Sequence, residues 1–246
     1  VLLWAKGLAT GFGFDVRIHE PDIWPLAVQG PKAEELCARV FGEEIRNIGF
    51  FRGKWMKYGT TSFFIARSGW SKQGGFEIYL NEFSLGEKLW DDFFEKGKDL
   101  DVGPGCPNLI ERIESGLLSF GADATYETTP FECGLEQYVS LEADIESLSI
   151  NALRKQKPKT RLVGLVVDEK IDLADRSVLD EKDVIGKITA NTWSPRYSVY
   201  LVYARCDANR ILALNELNLK STKGLVKARI TDIPFNFVTL GLSNQS

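Results

Sequence analysis

A change of pattern at the basic stretch Arg154-Lys155-Gln156-Lys157-Pro158-Lys159 constrains this fold more than any other feature of the sequence. Before it, amphipathic helical segments alternate with short apolar strands. After it the recognisable segments are all short strands, Leu162 to Val167, Val184 to Thr189, Val199 to Arg205 and Leu225 to Ile230, separated by polar turns. A charge run of this kind reads as a solvated linker with no ligand of its own. The fold class is therefore α+β: an α+β region over residues 1–155, then a mostly β domain over residues 156–246. The 246 residues are 44% hydrophobic and 26% charged, a balance that can fill two cores and argues against disorder.

Within the first region, Val1-Leu2-Leu3-Trp4-Ala5-Lys6 reads as a helix already under way, ending near Gly11 to Gly13. With Met56 as the only methionine, the sequence reads as a fragment shortened at its N-terminus. Phe14 to Glu20 alternates like a strand, and Trp24 to Gln29 is an apolar one. Gly30-Pro31 turns the chain into a helix with the stripe Leu36, Val40 and Phe41. Thr60 to Arg67 and Phe76 to Leu80 are further strands. Ser84 and Glu87 have capping-box spacing, ahead of a helix that carries Leu85, Leu89 and Phe93 and stops at Gly97. Pro107 opens a short helix to Gly116, Thr129 to Gly134 resembles another helical start, and Ile150 to Lys155 adds a turn.

Composition removes several function classes. A net charge of −4, evenly spread, lacks the footprint of nucleic-acid or anionic-membrane binding. No apolar run reaches the ~18 residues that cross a bilayer, and the opening lacks a signal peptide's cationic flank and cleavage site, so a cytoplasmic location is expected. Cys37, Cys106, Cys133 and Cys206 lie far apart with no C-x-x-C pair, and read as buried or semi-buried free thiols. The single histidine, His19, reads as a surface strand residue, and no metal site is expected. P-loop and G-x-S-x-G patterns are absent, and Gly103-Pro104-Gly105 lacks the third glycine of a dinucleotide fingerprint.

Chemistry concentrates in Arg67-Ser68-Gly69-Trp70-Ser71-Lys72-Gln73-Gly74-Gly75-Phe76-Glu77-Ile78-Tyr79-Leu80. Strand alternation puts Phe76, Ile78 and Leu80 on one face and Glu77 and Tyr79 on the other. Gly74-Gly75 permits close approach, and Trp70 supplies a flat surface. Two readings stand side by side. In one, Glu77 and Tyr79 simply face water on a half-exposed antiparallel strand while Trp70 covers a core edge. In the other, the carboxylate accepts paired N–H donors from a flat heterocycle such as a pterin, on which aromatic rings stack.

A resemblance favours the second reading. Leu26-Ala27-Val28-Gln29-Gly30-Pro31-Lys32-Ala33, the Arg67 to Tyr79 segment, Arg112-Ile113-Glu114-Ser115-Gly116, Thr128-Thr129-Pro130-Phe131-Glu132-Cys133-Gly134-Leu135, and Ile185-Gly186-Lys187-Ile188-Thr189 through Trp193-Ser194-Pro195 resemble successive signatures of the tetrahydrofolate-dependent aminomethyltransferases, the glycine-cleavage T-protein family. The resemblance implies a folate-binding α+β body with mixed or antiparallel sheets, a C-terminal barrel-like β domain, tetrahydrofolate as cofactor, and Glu77 as the group that grips the pterin. It further implies that Trp70, Tyr79 and Phe51 line the folate and substrate cavity; Trp70 and Tyr79 can then stack on the pterin or attract a sulfonium through their rings, and Tyr79 is the expected catalytic residue.

Val40-Phe41-Gly42-Glu43-Glu44-Ile45-Arg46-Asn47 and the Gly69 to Tyr79 segment are most similar to family members that demethylate a small sulfonium substrate. Asn108 stands where the T-protein pattern carries a cation, which suits a positively charged substrate. The alternatives within the resemblance are an aminomethyl or N-methyl substrate, as in glycine cleavage or sarcosine and dimethylglycine demethylation, and a non-catalytic folate-binding protein of iron–sulfur maturation. The expected partners are the sulfonium substrate and folate, and the oligomeric state stays open.

Overall fold

The computed structural model describes residues 1–106, 108–144 and 146–242. The chain divides into two compact units, Val1–Gly105 and Cys106–Ser246. The sequence pattern breaks at residue 155 and the compact units break at Gly105, because part of the intervening segment packs on the strands that follow the basic stretch. Ile113 shares a core cluster with Leu162, Val166 and Tyr203, and the Glu132 carboxylate accepts from the Lys159 and Thr160 amides at 3.2 and 3.0 Å.

The first unit runs α1 (Leu2–Gly11), β1 (Trp24–Gln29), α2 (Ala33–Phe41), β2 (Gly53–Tyr58), β3 (Thr61–Ala66), β4 (Gly75–Leu80) and α3 (Gly86–Lys96). Its four strands form one antiparallel sheet in the order β1-β4-β3-β2. Alternation sends Met56, Phe63, Ile65, Phe76, Ile78 and Leu80 to one face, where they pack with Leu36, Cys37 and Phe41 of α2 and Leu89 and Phe93 of α3.

Several expectations are corrected here. Phe14 to Glu20 is irregular, not a strand: Phe14 and Val16 are exposed and the segment has no ladder partner among the described residues, so His19 lies on an exposed irregular stretch. Strand β2 is an addition. The box between Ser84 and Glu87 does not form, because a 3₁₀ turn over Phe83–Leu85 runs straight into α3 without a side-chain cap.

The second unit contains α4 (Leu109–Glu114), α5 (Ile150–Lys155), β5 (Thr160–Val167), β6 (Leu173–Asp180), β7 (Asp183–Ser194), β8 (Val199–Asp207), β9 (Glu216–Ser221), β10 (Gly224–Thr231) and α6 (Phe237–Leu240). Pro107, expected to open α4, lies outside the described residues; the helix follows Asn108, whose side chain caps it by accepting from the Glu111 amide at 2.8 Å. Six strands close a barrel in the order β10-β5-β8-β7-β6-β9. Val163, Leu165, Ile188, Val202 and Leu219 fill it, and Ile113, Phe235 and Leu240 cover Leu162, Val166, Leu201 and Tyr203 on its outer wall. Strands β6 and β9 were not evident in the sequence, yet they complete the barrel. No helix among the described residues is long and apolar enough to cross a membrane.

Candidate functional site

The helix-free face of the four-stranded sheet carries the candidate site. Register aligns Pro25, Tyr79, Phe64 and Trp55 in one row across all four strands, and Ala27, Glu77, Ala66 and Gly53 in the next. The first row is an aromatic wall: Trp55 and Phe64 meet edge-on at 5.6 Å between ring centroids, and Phe64 and Tyr79 lie 6.2 Å apart. In the second row Glu77 is flanked by the small side chains of Ala27 and Ala66, and the Phe64 ring lies over Gly53. Glu77 and Tyr79 are half-buried, while their neighbours Phe76 and Ile78 are fully buried on the opposite face. Strand alternation in β4 thus separates packing from presentation.

Glu77 Oε2 accepts from the Ser68 hydroxyl, and its second oxygen has no hydrogen-bond donor among the described residues. Ser68 opens the loop that carries Trp70, which is 44% exposed. Phe51 reaches this end of the sheet because its amide donates to the Arg67 carbonyl at 3.0 Å, while the Arg67 amide donates to the Arg52 carbonyl at 2.9 Å. Phe51 is exposed, adopts φ 53°, and meets Phe50 edge-on at 4.6 Å. Arg67 anchors the loop base through an ion pair with Glu34 at 2.5 Å and a position 5.5 Å from the Phe76 ring centre.

The structure therefore brings Glu77 and Tyr79 onto one face and carries Phe51 and Trp70 on segments bordering its Glu77 end. Sequence reasoning missed Trp55, Phe64 and Ser68 as neighbours of these groups. Period-2 alternation of Trp55 with Met56 and Tyr58 is the signal that would have revealed β2 and with it the wall.

Other motif residues act inside the second unit. Arg112 pairs with Asp123, both nearly inaccessible to solvent, and Asp123 also accepts from the Thr189 hydroxyl at 2.6 Å and the Ser119 amide at 2.9 Å. Burial pushes the Arg112 guanidinium below its ordinary value, against a smaller opposing effect of Tyr203. Glu114 accepts from the Ser194 hydroxyl at 2.6 Å. Burial raises the Glu132 carboxyl, but the amides and hydroxyls of Thr129 and Thr160 outweigh it and hold the group down to about 2. Asn108 spends its side-chain oxygen on capping α4.

Cys37, Cys133 and Cys206 are buried, and burial pushes the thiols of Cys37 and Cys206 up to about 12. Cys106 is exposed, contrary to the buried or semi-buried expectation. Among the described residues no group of three or more His, Cys, Asp or Glu side chains could hold a metal ion.

Comparison with known proteins places this geometry in context. Residues 2–143 match the family described as GCVT N-terminal domain. The chain is 43% identical over 210 residues to the dimethylsulfoniopropionate demethylase of Ruegeria pomeroyi, covering 84% of this chain and 58% of that protein. It is 30% identical over 196 residues to an aminomethyltransferase of Thermotoga neapolitana, covering 78% and 53%. The chain thus spans little more than half the length of these curated relatives. The crystal structure of glycine cleavage system aminomethyltransferase T from Bartonella henselae shares the fold, with a TM-score of 0.73 over 96% of this chain and 65% of that one at 21% identity. A family match over more than half of the chain, joined to a relative at 43% identity, establishes that this chain belongs to the GCVT family.

Proposed function

We propose that the protein moves a methyl group from dimethylsulfoniopropionate to tetrahydrofolate, giving methylthiopropionate and 5-methyltetrahydrofolate. The single observation that carries this reading is the open face of the sheet, where a carboxylate with one unengaged oxygen stands between an aromatic wall and an exposed tryptophan loop. The 43% identity to a dimethylsulfoniopropionate demethylase supports the choice of substrate.

The residues fit a folate ring system. Two parallel N–H donors of an amino-pyrimidinone edge match the Glu77 carboxylate, and the small side chains of Ala27 and Ala66 on either side leave its flanks uncrowded. When bound, tetrahydrofolate would supply the nitrogen lone pair that takes the methyl group while sulfur leaves as a neutral thioether and the proton on that nitrogen is released to solvent. Trp70 and Phe51 offer apolar surface for stacking. Tyr79 is the catalytic residue of the proposal: its ring faces the sulfonium and attracts it by roughly 0.5–2 kcal/mol. Since the leaving group is neutral, these side chains need transfer no proton to it; they position and exclude water, and orientation of this kind contributes roughly 7–11 kcal/mol in well-aligned reactions.

The 30% identity to an aminomethyltransferase favours a second reading, with an aminomethyl or N-methyl donor at the same site. Incubating the full chain with tetrahydrofolate and each donor, then identifying the folate product, separates them. The first reading predicts 5-methyltetrahydrofolate from dimethylsulfoniopropionate. Formation of 5,10-methylenetetrahydrofolate from an aminomethyl or N-methyl donor, with no product from the sulfonium, would replace it.

A further inference from the structure

Glu77 receives its side-chain hydrogen bond from Ser68, and the backbone of Ser68 is held from a different strand. Gln29 is the last residue of β1, paired in register with Gly75 at the start of β4. Its carboxamide enters the 67–75 loop: Nε2 donates to the Ser68 carbonyl at 3.0 Å, and Oε1 accepts from the Ser71 hydroxyl at 2.8 Å. The Gly30 amide closes the loop from outside by donating to the Gly74 carbonyl at 3.0 Å.

Glycines make room for this insertion. Gly69 and Gly75 have φ of 156° and 142°. A Cβ on Gly69 would overlap the Gln29 carboxamide, and one on Gly75 would overlap the Val28 carbonyl and lie 2.8 Å from Gln29 Nε2. The loop is wrapped around one amide group, and a carboxamide suits that place because it offers a donor to the carbonyl and an acceptor to the hydroxyl at once.

We propose that Gln29 is a positioning residue: by holding the Ser68 carbonyl and the Ser71 hydroxyl it aims the Ser68 hydroxyl at Glu77 and so fixes the carboxylate for its ligand. This rests on the reading of Glu77 as the group that binds folate.

The test is tetrahydrofolate affinity in the full chain. Gln29→Glu keeps size and shape but sets a carboxylate oxygen against the Ser68 carbonyl, and affinity is expected to fall about tenfold, the worth of one good hydrogen bond. In a Glu77→Ala background the same substitution is expected to change affinity less than twofold, because nothing remains to be aimed. Ser68→Ala is expected to match Gln29→Glu, with Ser68→Thr restoring the parent value; Gln29→Met, which keeps the side chain's length and removes its donor and acceptor, is expected to show the same background-dependent loss and carries the test if Gln29→Glu fails to fold. An unchanged affinity in Gln29→Glu, or an equal loss in both backgrounds, overturns the positioning role while Glu77→Ala still binds weakly. Parent-like affinity in Glu77→Ala itself overturns the folate reading and this inference with it.

Discussion

Glu77 and Glu132 are glutamates of the two compact units, each bonded to a neighbouring hydroxyl, and they are put to opposite uses. Glu132 is 6% exposed and saturated: the amides of Thr129, Lys159 and Thr160 and the hydroxyls of Thr129 and Thr160 all donate to it. Glu77 is half-buried and, among the described residues, has Ser68 as its one side-chain donor. The barrel unit repeats the first pattern at Asp123, which pairs with Arg112 and accepts from the Thr189 hydroxyl and the Ser119 amide. A buried charge must be satisfied by its own fold, or the fold does not persist. A carboxylate left partly unsatisfied on an aromatic-lined face keeps acceptor capacity for something outside the unit.

The comparison breaks most sharply at Arg112. Arg112→Ala leaves Asp123 charged in the core, and the expected loss is roughly 3–5 kcal/mol of unfolding free energy in urea titrations. An unaffected denaturation midpoint would mean that solvent reaches Asp123. Glu132→Ala comes next, because the amides it satisfies lose their acceptor, at roughly 1–3 kcal/mol.

Glu132 also sets a pH window. Its folded value of about 2 lies below the ordinary 4.5, so the unfolded chain takes up the proton first as pH falls. Its contribution is complete above pH 4.5 and disappears as pH drops through about 2. Glu132→Gln should flatten acid denaturation in that range, and a parent-like acid profile in the variant would remove the assignment.

Glu77→Ala sharpens the other side. Stability is expected to change by at most about 0.5 kcal/mol, as for a surface substitution. Tetrahydrofolate affinity is expected to fall by one to two orders of magnitude, the roughly 1.5–3 kcal/mol of hydrogen bonding to a charged group. The smallest effect belongs to Tyr79→Phe, which keeps the ring and removes the hydroxyl; if the ring alone meets the sulfonium, turnover stays within about twofold by the cation–π argument. A larger loss would give the hydroxyl a part in the reaction.

Strand β4 was legible because its alternation is strict: Phe76, Ile78 and Leu80 against Glu77 and Tyr79 describe a packed face and a presented one without any partner being known. Its neighbours were less legible. Phe14 to Glu20 alternates as well and forms no strand, whereas Trp55 to Tyr58 lies in a strand hidden by its lysines. Local pattern records a preference, and pairing decides whether the preference is realised. The quoted motifs contained Gln29 and Ser68, but nothing in their spacing tells that residues 39 apart share a hydrogen bond through the Ser68 carbonyl.

By itself the sequence determined the α+β composition, the β-rich C-terminal part and the face on which Glu77 and Tyr79 stand, since periodicity and hydrophobicity are local properties. Only the tertiary structure decided which side chains border Glu77, how the 67–75 loop closes on Gln29, and that Arg112 and Glu132 are used within the second unit. Those outcomes depend on strand order and register, which arise from distant segments burying apolar surface together and leave no trace in the spacing of any one of them.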